Sequence, residues 1–182
     1  LKKIRRLRRE AEELKGRQRN MLHCGLEGLR ALGYLEGEHL SEKGYWASNL
    51  CTSLVIELAE IIESGLLTGV NSETFAAIVA SISGDGHRQY LSSKQSPLSA
   101  EQTIVLESIL QRVQAQNMPG VIEGLTVIPD AAHTVVSWIR ANDWRYFRVI
   151  LALSGVAEVY SARLITQTAE HLNQISRLVK RG

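Results

Sequence analysis

Apolar residues recur in this chain at three- and four-residue steps almost throughout, and only Pro97, Pro119 and Pro129 interrupt its 182 residues. That rhythm fits one face of an α-helix and does not fit a strand, whose side chains alternate every second residue. It predicts an all-α fold, a helical bundle. Leu1, Ile4, Leu7, Ala11 and Leu14 mark a first helix, and Leu22, Leu26, Leu29 and Leu32 a second stretch closed by Gly33. Residues 34–40 break the rhythm and read as a minor short hairpin around Glu36-Gly37. Ser41 is placed to cap a long helix over residues 42–64. Its apolar set, Ala47, Leu50, Cys51, Leu54, Leu58, Ile61 and Ile62, marks that helix for the centre of the core. Asn71 caps the next, and residues 76–82 are so apolar that burial on most sides follows.

A polar loop at 84–98 is the best internal boundary, and Ser99 with Gln102 forms a capping box for a helix to about Gln116. Ile104, Leu106, Ile109, Leu110 and Val113 form the apolar face of that helix. Pro129 suits the first turn of another helix. Residues 144–153 give one more, and a long final helix runs to about Val179. Trp138 is expected to be largely buried.

Charge is local. Residues 1–19 hold nine Lys/Arg against three Glu, a net of +6, so the remaining 163 residues carry −4 of the overall +2. The domain as a whole is no polycation, and Arg5, Arg6 and Arg9 on the N-terminal segment are the candidates for phosphate contact. The basic start leads into no apolar signal segment. A chain beginning at Leu1 in this way reads as part of a longer protein, with residues 1–19 a basic helix continuing from an upstream region and residues 20–182 the bundle. No stretch reaches the roughly 20 apolar residues of a membrane helix, so no membrane partner is expected. Two cysteines, Cys24 and Cys51, cannot staple a chain of this size and read as small core residues. They suit an intracellular, reducing compartment, whether cytoplasm, nucleus, plastid or bacterial cytosol.

Catalytic signatures are missing. There is no GxxxxGK[ST] phosphate loop, HExxH or CxxC, and the histidines at 23, 39, 87, 133 and 171 share no metal-ligand spacing. Asp85-Gly86-His87 lies near Ser92 and Ser93, but loop composition accounts for all of them. No catalytic site and no cofactor are expected in this chain.

Leu29-Arg30-Ala31-Leu32-Gly33-Tyr34-Leu35 followed by Leu40-Ser41-Glu42-Lys43-Gly44-Tyr45-Trp46-Ala47 reads LRxLGYL … LSxKGxxA. The register continues through residues 61–67 and 71–81. Trp138, Phe147 and Gly155 then follow in order, and residues 163–175 read RLITQTAEHLNQI. The chain resembles in these segments the DSHCT domain, the C-terminal domain of superkiller-type RNA helicases. Two positions depart from the family pattern: Val159 replaces a usual glycine, and Thr166 or Gln167 stands where many members have a second basic residue.

The resemblance implies a helical bundle whose long last helix acts as a ratchet for single-stranded RNA threading past the motor. It places base contacts at Arg163 and Glu60. It also implies partners, namely the motor domains of the same parent chain and RNA-degradation machinery, with ATP and magnesium held in those motor domains. The residues themselves add a polar stripe on the last helix: Arg163, Gln167, Glu170, Gln174 and Arg177 step by 4, 3, 4 and 3, with Ile165, Ala169, Leu172 and Ile175 on another face. A helical protein-interaction scaffold without RNA contact is the alternative. A winged-helix-like DNA binder lacks a basic recognition helix, because residues 20–42 contain only Arg30.

Overall fold

A computed structural model describes residues 2–179. Its elements are α1 (Lys2–Ala31), β1 (Leu35–Glu36), β2 (His39–Leu40), α2 (Glu42–Ala47), α3 (Val55–Glu63), α4 (Ser72–Ser83), α5 (Ala100–Gln114), α6 (Pro129–Ala141), α7 (Trp144–Leu153) and α8 (Glu158–Val179). The fold is all-α apart from the antiparallel pair β1–β2, in which Leu35 faces Leu40. The sequence-placed caps form: Asn71 accepts from the Thr74 amide, Ser99 and Gln102 close a reciprocal box, and Pro129 stands in the first turn of α6.

Helix α4 occupies the centre. Every residue from 76 to 82 is buried, and the helix packs against α6 and α8. The largest core cluster joins α3, α4 and α5 through Leu58, Ile61, Ile78, Val79, Leu106 and Val113. A second unites α4, α6 and α8, and a third gathers Phe147, Leu151 and Val156 beneath Trp138 and Trp144. Trp138 itself is half-buried, with its ring edge against Trp144.

The helix expected over residues 42–64 is two helices. In a continuous helix the Tyr45 carbonyl would accept from the Asn49 amide. Here the side chains of Ser48 and Asn49 both donate to that carbonyl, at 2.7 and 3.0 Å, and the chain leaves the helix. Leu50 and Leu54 are still buried, so the periodicity located core residues without continuity between them. Cys24 and Cys51 are exposed, against the expectation of core positions. Ile104, also expected inside, is 65% exposed, because α5 meets the core through Leu106, Ile109, Leu110 and Val113, with Val105 partly buried beside them.

Helix α1 runs unbroken through the 19/20 boundary suggested by charge. Its apolar rhythm lapses over residues 15–20, but Lys, Arg and Gln there are good helix formers and carry it across. Ile4, Leu7 and Leu14 are each more than half exposed, so this stripe packs on nothing among the described residues; Leu1 lies outside them.

The segment 33–44 is tied into a knot. Gly33 takes φ +79°, which a side chain would resist, and turns the chain so that Tyr34 enters the core. Ser41 Oγ donates to the Gly33 carbonyl (2.6 Å) and accepts from the Gly44 amide (3.0 Å). Gly44 has no substitute, since a Cβ there would fall 2.1 Å from the Tyr34 carbonyl oxygen. Gly33, Ser41 and Gly44, three of the residues shared with the helicase pattern, thus serve backbone geometry.

Candidate nucleic-acid interface

Two recesses divide the residues singled out in the sequence. The first, of about 530 Å³, opens between α8 and the 84–90 loop, with residues 122–128 on a further side. Tyr160, Arg163, Gln167 and His171 come to it from α8 because steps of three and four residues share one face. Arg163 is exposed and makes no ion pair among the described residues. The carboxylates closest in expectation are engaged elsewhere. Glu158 binds Arg148 (2.8 Å) and accepts from Trp144 Nε1 (3.2 Å), and Glu60 lies in the other recess.

The loop wall is preformed. Gly84 starts it, at a position where a Cβ would crowd Ala131 at 2.9 Å. The Asp85 amide donates to Tyr90 Oη (3.0 Å), and Asp85 accepts from the His87 amide (2.9 Å) and pairs with Arg88 (3.3 Å). These bonds hold the Asp85 carboxyl below its usual range, the His87 amide contributing most. The Arg88 guanidinium lies over the Tyr160 ring, 4.3 Å from its centroid. The Leu91 amide donates to buried Thr134, tying the far end of the loop to α6.

His171 is buried on α8. Ser83 Oγ gives its one proton to the Val79 carbonyl (2.7 Å) and therefore accepts from His171 Nδ1 (2.9 Å), leaving Nε2 as an acceptor. Burial pushes the His171 pKa down, so the ring stays neutral. The α8 face buried in the bundle is Ser161, Leu164, Thr168, His171 and Ile175. Of the apolar set read on the face away from the polar stripe, Ile175 is buried, Ile165 and Leu172 are half-buried against the core, and Ala169 is exposed. The small residues of α4, Ala76, Ala77 and Ala80, bring that helix close enough for short polar side chains to fill the seam.

The second recess, of about 520 Å³, holds Glu60. This carboxylate is 2% exposed and is bound by Lys43 Nζ (2.6 Å), Arg112 (2.5 Å) and Tyr34 Oη (2.8 Å). Lys43 also donates to the Leu32 carbonyl (2.9 Å) and covers the Tyr34 ring. Burial, and after it the hydrogen bond and negative charge of Glu60, push the Tyr34 phenol pKa up. Glu60 and Arg163, which the helicase resemblance couples, therefore line different recesses.

The remaining candidates are dispersed. Gln174 is half-buried and accepts from the Cys51 amide (3.4 Å), and Arg177 is exposed near the end of α8. Arg5, Arg6 and Arg9 are exposed on α1; Arg6 pairs with Glu10 (3.1 Å) and Arg9 with Glu13 (2.9 Å). Sequence reasoning missed Arg88, Tyr160 and His171. Tyr160 and His171 stand at helical spacing from Arg163 and Gln167, but Arg88 reaches them only through the fold. No group of three or more His, Cys, Asp or Glu among the described residues could hold a metal, and no described helix is long and apolar enough to cross a membrane.

Two buried titratable groups oppose each other in pH dependence. The His171 pKa is depressed in the fold, so its contribution is present above the unfolded value of about 6.5 and is lost as pH falls. Glu57, with its Oε1 buried and unpartnered, has its pKa raised by burial, so its contribution is present in acid and is lost as pH rises. On acidification from pH 7.5 to 5.5, His171→Asn should lose less stability than the parent chain and Glu57→Gln should lose more. Urea titrations at several pH values check both signs, and parallel curves would remove both assignments.

A family model described as the DSHCT (NUC185) domain matches residues 37–181. No curated protein matches the chain.

Proposed function

This chain belongs to the DSHCT domain family, the C-terminal domain of superkiller-type helicases, and from that premise we propose that its α8 face guides single-stranded RNA past the motor of its parent helicase. It is a helicase-associated accessory domain. The observation that carries the finer reading is Arg163, exposed at the mouth of the first recess and unclaimed by any acidic side chain among the described residues. A planar guanidinium stacks on unpaired bases and still donates hydrogen bonds, so it can grip RNA without selecting one sequence. Gln167 lies one turn further along the same face. ATP and magnesium belong in this proposal to the motor domains, and RNA-degradation machinery is the expected downstream partner.

Arg163→Ala should weaken single-stranded RNA binding by about 1–3 kcal/mol, the usual value of one base–side-chain stack, and leave the melting temperature nearly unchanged. Arg163→Lys should rescue it poorly, because the charge survives and the plane does not. The binding isotherm and the melting curve are measured on the same preparations. An undiminished RNA affinity of Arg163→Ala would remove α8 from the RNA path.

The scaffold reading is favoured by a separate observation. Tyr146, Val149 and Leu153 form an exposed apolar row on α7 at steps of three and four residues. Substituting that row with Ser and finding RNA binding unchanged, alongside an inert Arg163→Ala, would move the function to protein contact.

A further inference from the structure

We infer that the recess between the 84–88 turn and α8 is a receptor for a single unstacked nucleobase, with Arg88 and Tyr160 as its second wall. This rests on the RNA reading above and adds to it a subsite and two residues that neither the helicase resemblance nor the polar stripe of α8 contains.

The first argument is charge. Arg88 and Arg163 line the recess together with Asp85 and Glu123, two positive groups against two negative ones. A phosphate entering there would meet as much repulsion as attraction, so the recess suits a neutral group. The second argument is shape. Planar groups stand on two of its walls: the guanidinium of Arg163, and the Arg88 guanidinium already laid over the Tyr160 ring at 4.3 Å. Flat, polarisable surfaces of this kind receive the face of a heteroaromatic ring. About 530 Å³ falls within the range of small-molecule pockets and exceeds what a base alone occupies, leaving room for the attached sugar near the mouth.

The third argument is the hydrogen-bonding complement. Gln167 offers both a donor and an acceptor, and neutral His171, whose Nδ1–H donates to Ser83 Oγ, offers an acceptor at Nε2. A base edge carries donors and acceptors side by side, whereas an aliphatic ligand would satisfy none of these groups and an anionic one would leave the acceptors unmatched. Preorganisation completes the case. Arg88 is fixed from one side by Asp85 (3.3 Å) and from the other by Tyr160, so ordering it costs little at the moment of binding. Arg163 is left to close over the ligand.

The test uses the 182-residue chain and a short oligouridine strand carrying one 2-aminopurine, whose fluorescence falls on stacking. The parent chain should quench it. Arg88→Gln and Tyr160→Leu should each relieve the quenching and weaken binding roughly fivefold or more, and an abasic site in place of the 2-aminopurine should weaken binding of the parent chain similarly. Thermal melts identify any variant that loses its fold. Should Tyr160→Leu do so, Arg88→Gln, which alters an exposed side chain, and the abasic strand still decide. If Arg163→Ala weakens RNA binding while Arg88→Gln and the abasic strand change nothing, the recess inference is overturned and the RNA reading stands. If the parent chain binds no RNA at low salt, both fall.

Discussion

Glu60→Ala is expected to destabilise the domain by about 3–5 kcal/mol, the usual result of removing one partner from a buried ion pair. The loss does not measure the attraction between Glu60 and its cations. It comes mainly from what is left behind: Lys43, 17% exposed in its side chain, would keep a charge inside the fold facing only the Leu32 carbonyl and the Tyr34 ring. Tyr34, buried at 2%, would lose the shorter of its hydroxyl's two bonds and keep only the Ile56 carbonyl at 3.5 Å. Arg112 is more than half exposed and would turn to water, so its share is small. Glu60→Gln should cost less, since an amide oxygen still accepts from Tyr34, and Lys43→Met in the Glu60→Ala background should recover part of the loss. Chemical denaturation of the four proteins checks this. The same series decides whether Glu60 touches RNA as the resemblance implies: a loss below about 1 kcal/mol accompanied by weakened RNA binding would make Glu60 a contact and not a structural node.

Leu58→Ala should cost about 2–5 kcal/mol through lost burial and the cavity left behind. Leu58 is fully buried on α3, where the largest core cluster joins α3, α4 and α5. It sits among the buried side chains of three packed helices, so collapse into the space is restricted and the upper half of the range is expected. Leu54→Ala should fall toward the lower half, because Leu54 stands at the irregular joint before α3, where the backbone has more freedom to close the gap. The ordering of the two losses, read from urea midpoints at constant slope, tests the assignment of the α2–α3 break. Losses below about 1 kcal/mol at both positions would mean that the core has been misplaced.

The legible part of this fold is the part governed by near neighbours in the chain. Asn71, Ser99 with Gln102, and Pro129 mark helix starts because a cap needs only its own first turn, and the structure places all three as read. The burial of α4 was equally plain, since seven consecutive apolar or small residues leave no polar face to turn outward. The break after α2 was hidden for the complementary reason. The apolar spacing across residues 47–58 suits a helix, and only the competition of Ser48 and Asn49 side chains for one carbonyl ends it.

The candidate site divides along the same line. Arg163, Gln167 and their spacing on one face are properties of a single helix, and a single helix can be read from sequence. Which cavity that face borders depends on a loop 75 or more residues earlier, brought alongside because α4 packs against α8 and delivers Gly84–Arg88 at its end. The same packing decides which face of α8 is buried. Periodicity favoured Ile165, Ala169 and Leu172, but the close approach of alanine-rich α4 admits Ser161, Thr168 and His171. Glu60 is the sharpest case. The helicase resemblance made it a candidate for contact with RNA bases, and nothing local distinguishes it from Glu63 three residues on. Only the convergence of Lys43, Arg112 and Tyr34, each from a different part of the chain, supplies the donors that a buried carboxylate needs. Sequence determined the helices and their caps, because those depend on interactions within about four residues. Tertiary packing decided which of their polar side chains meet, because burial and pairing depend on distance in space.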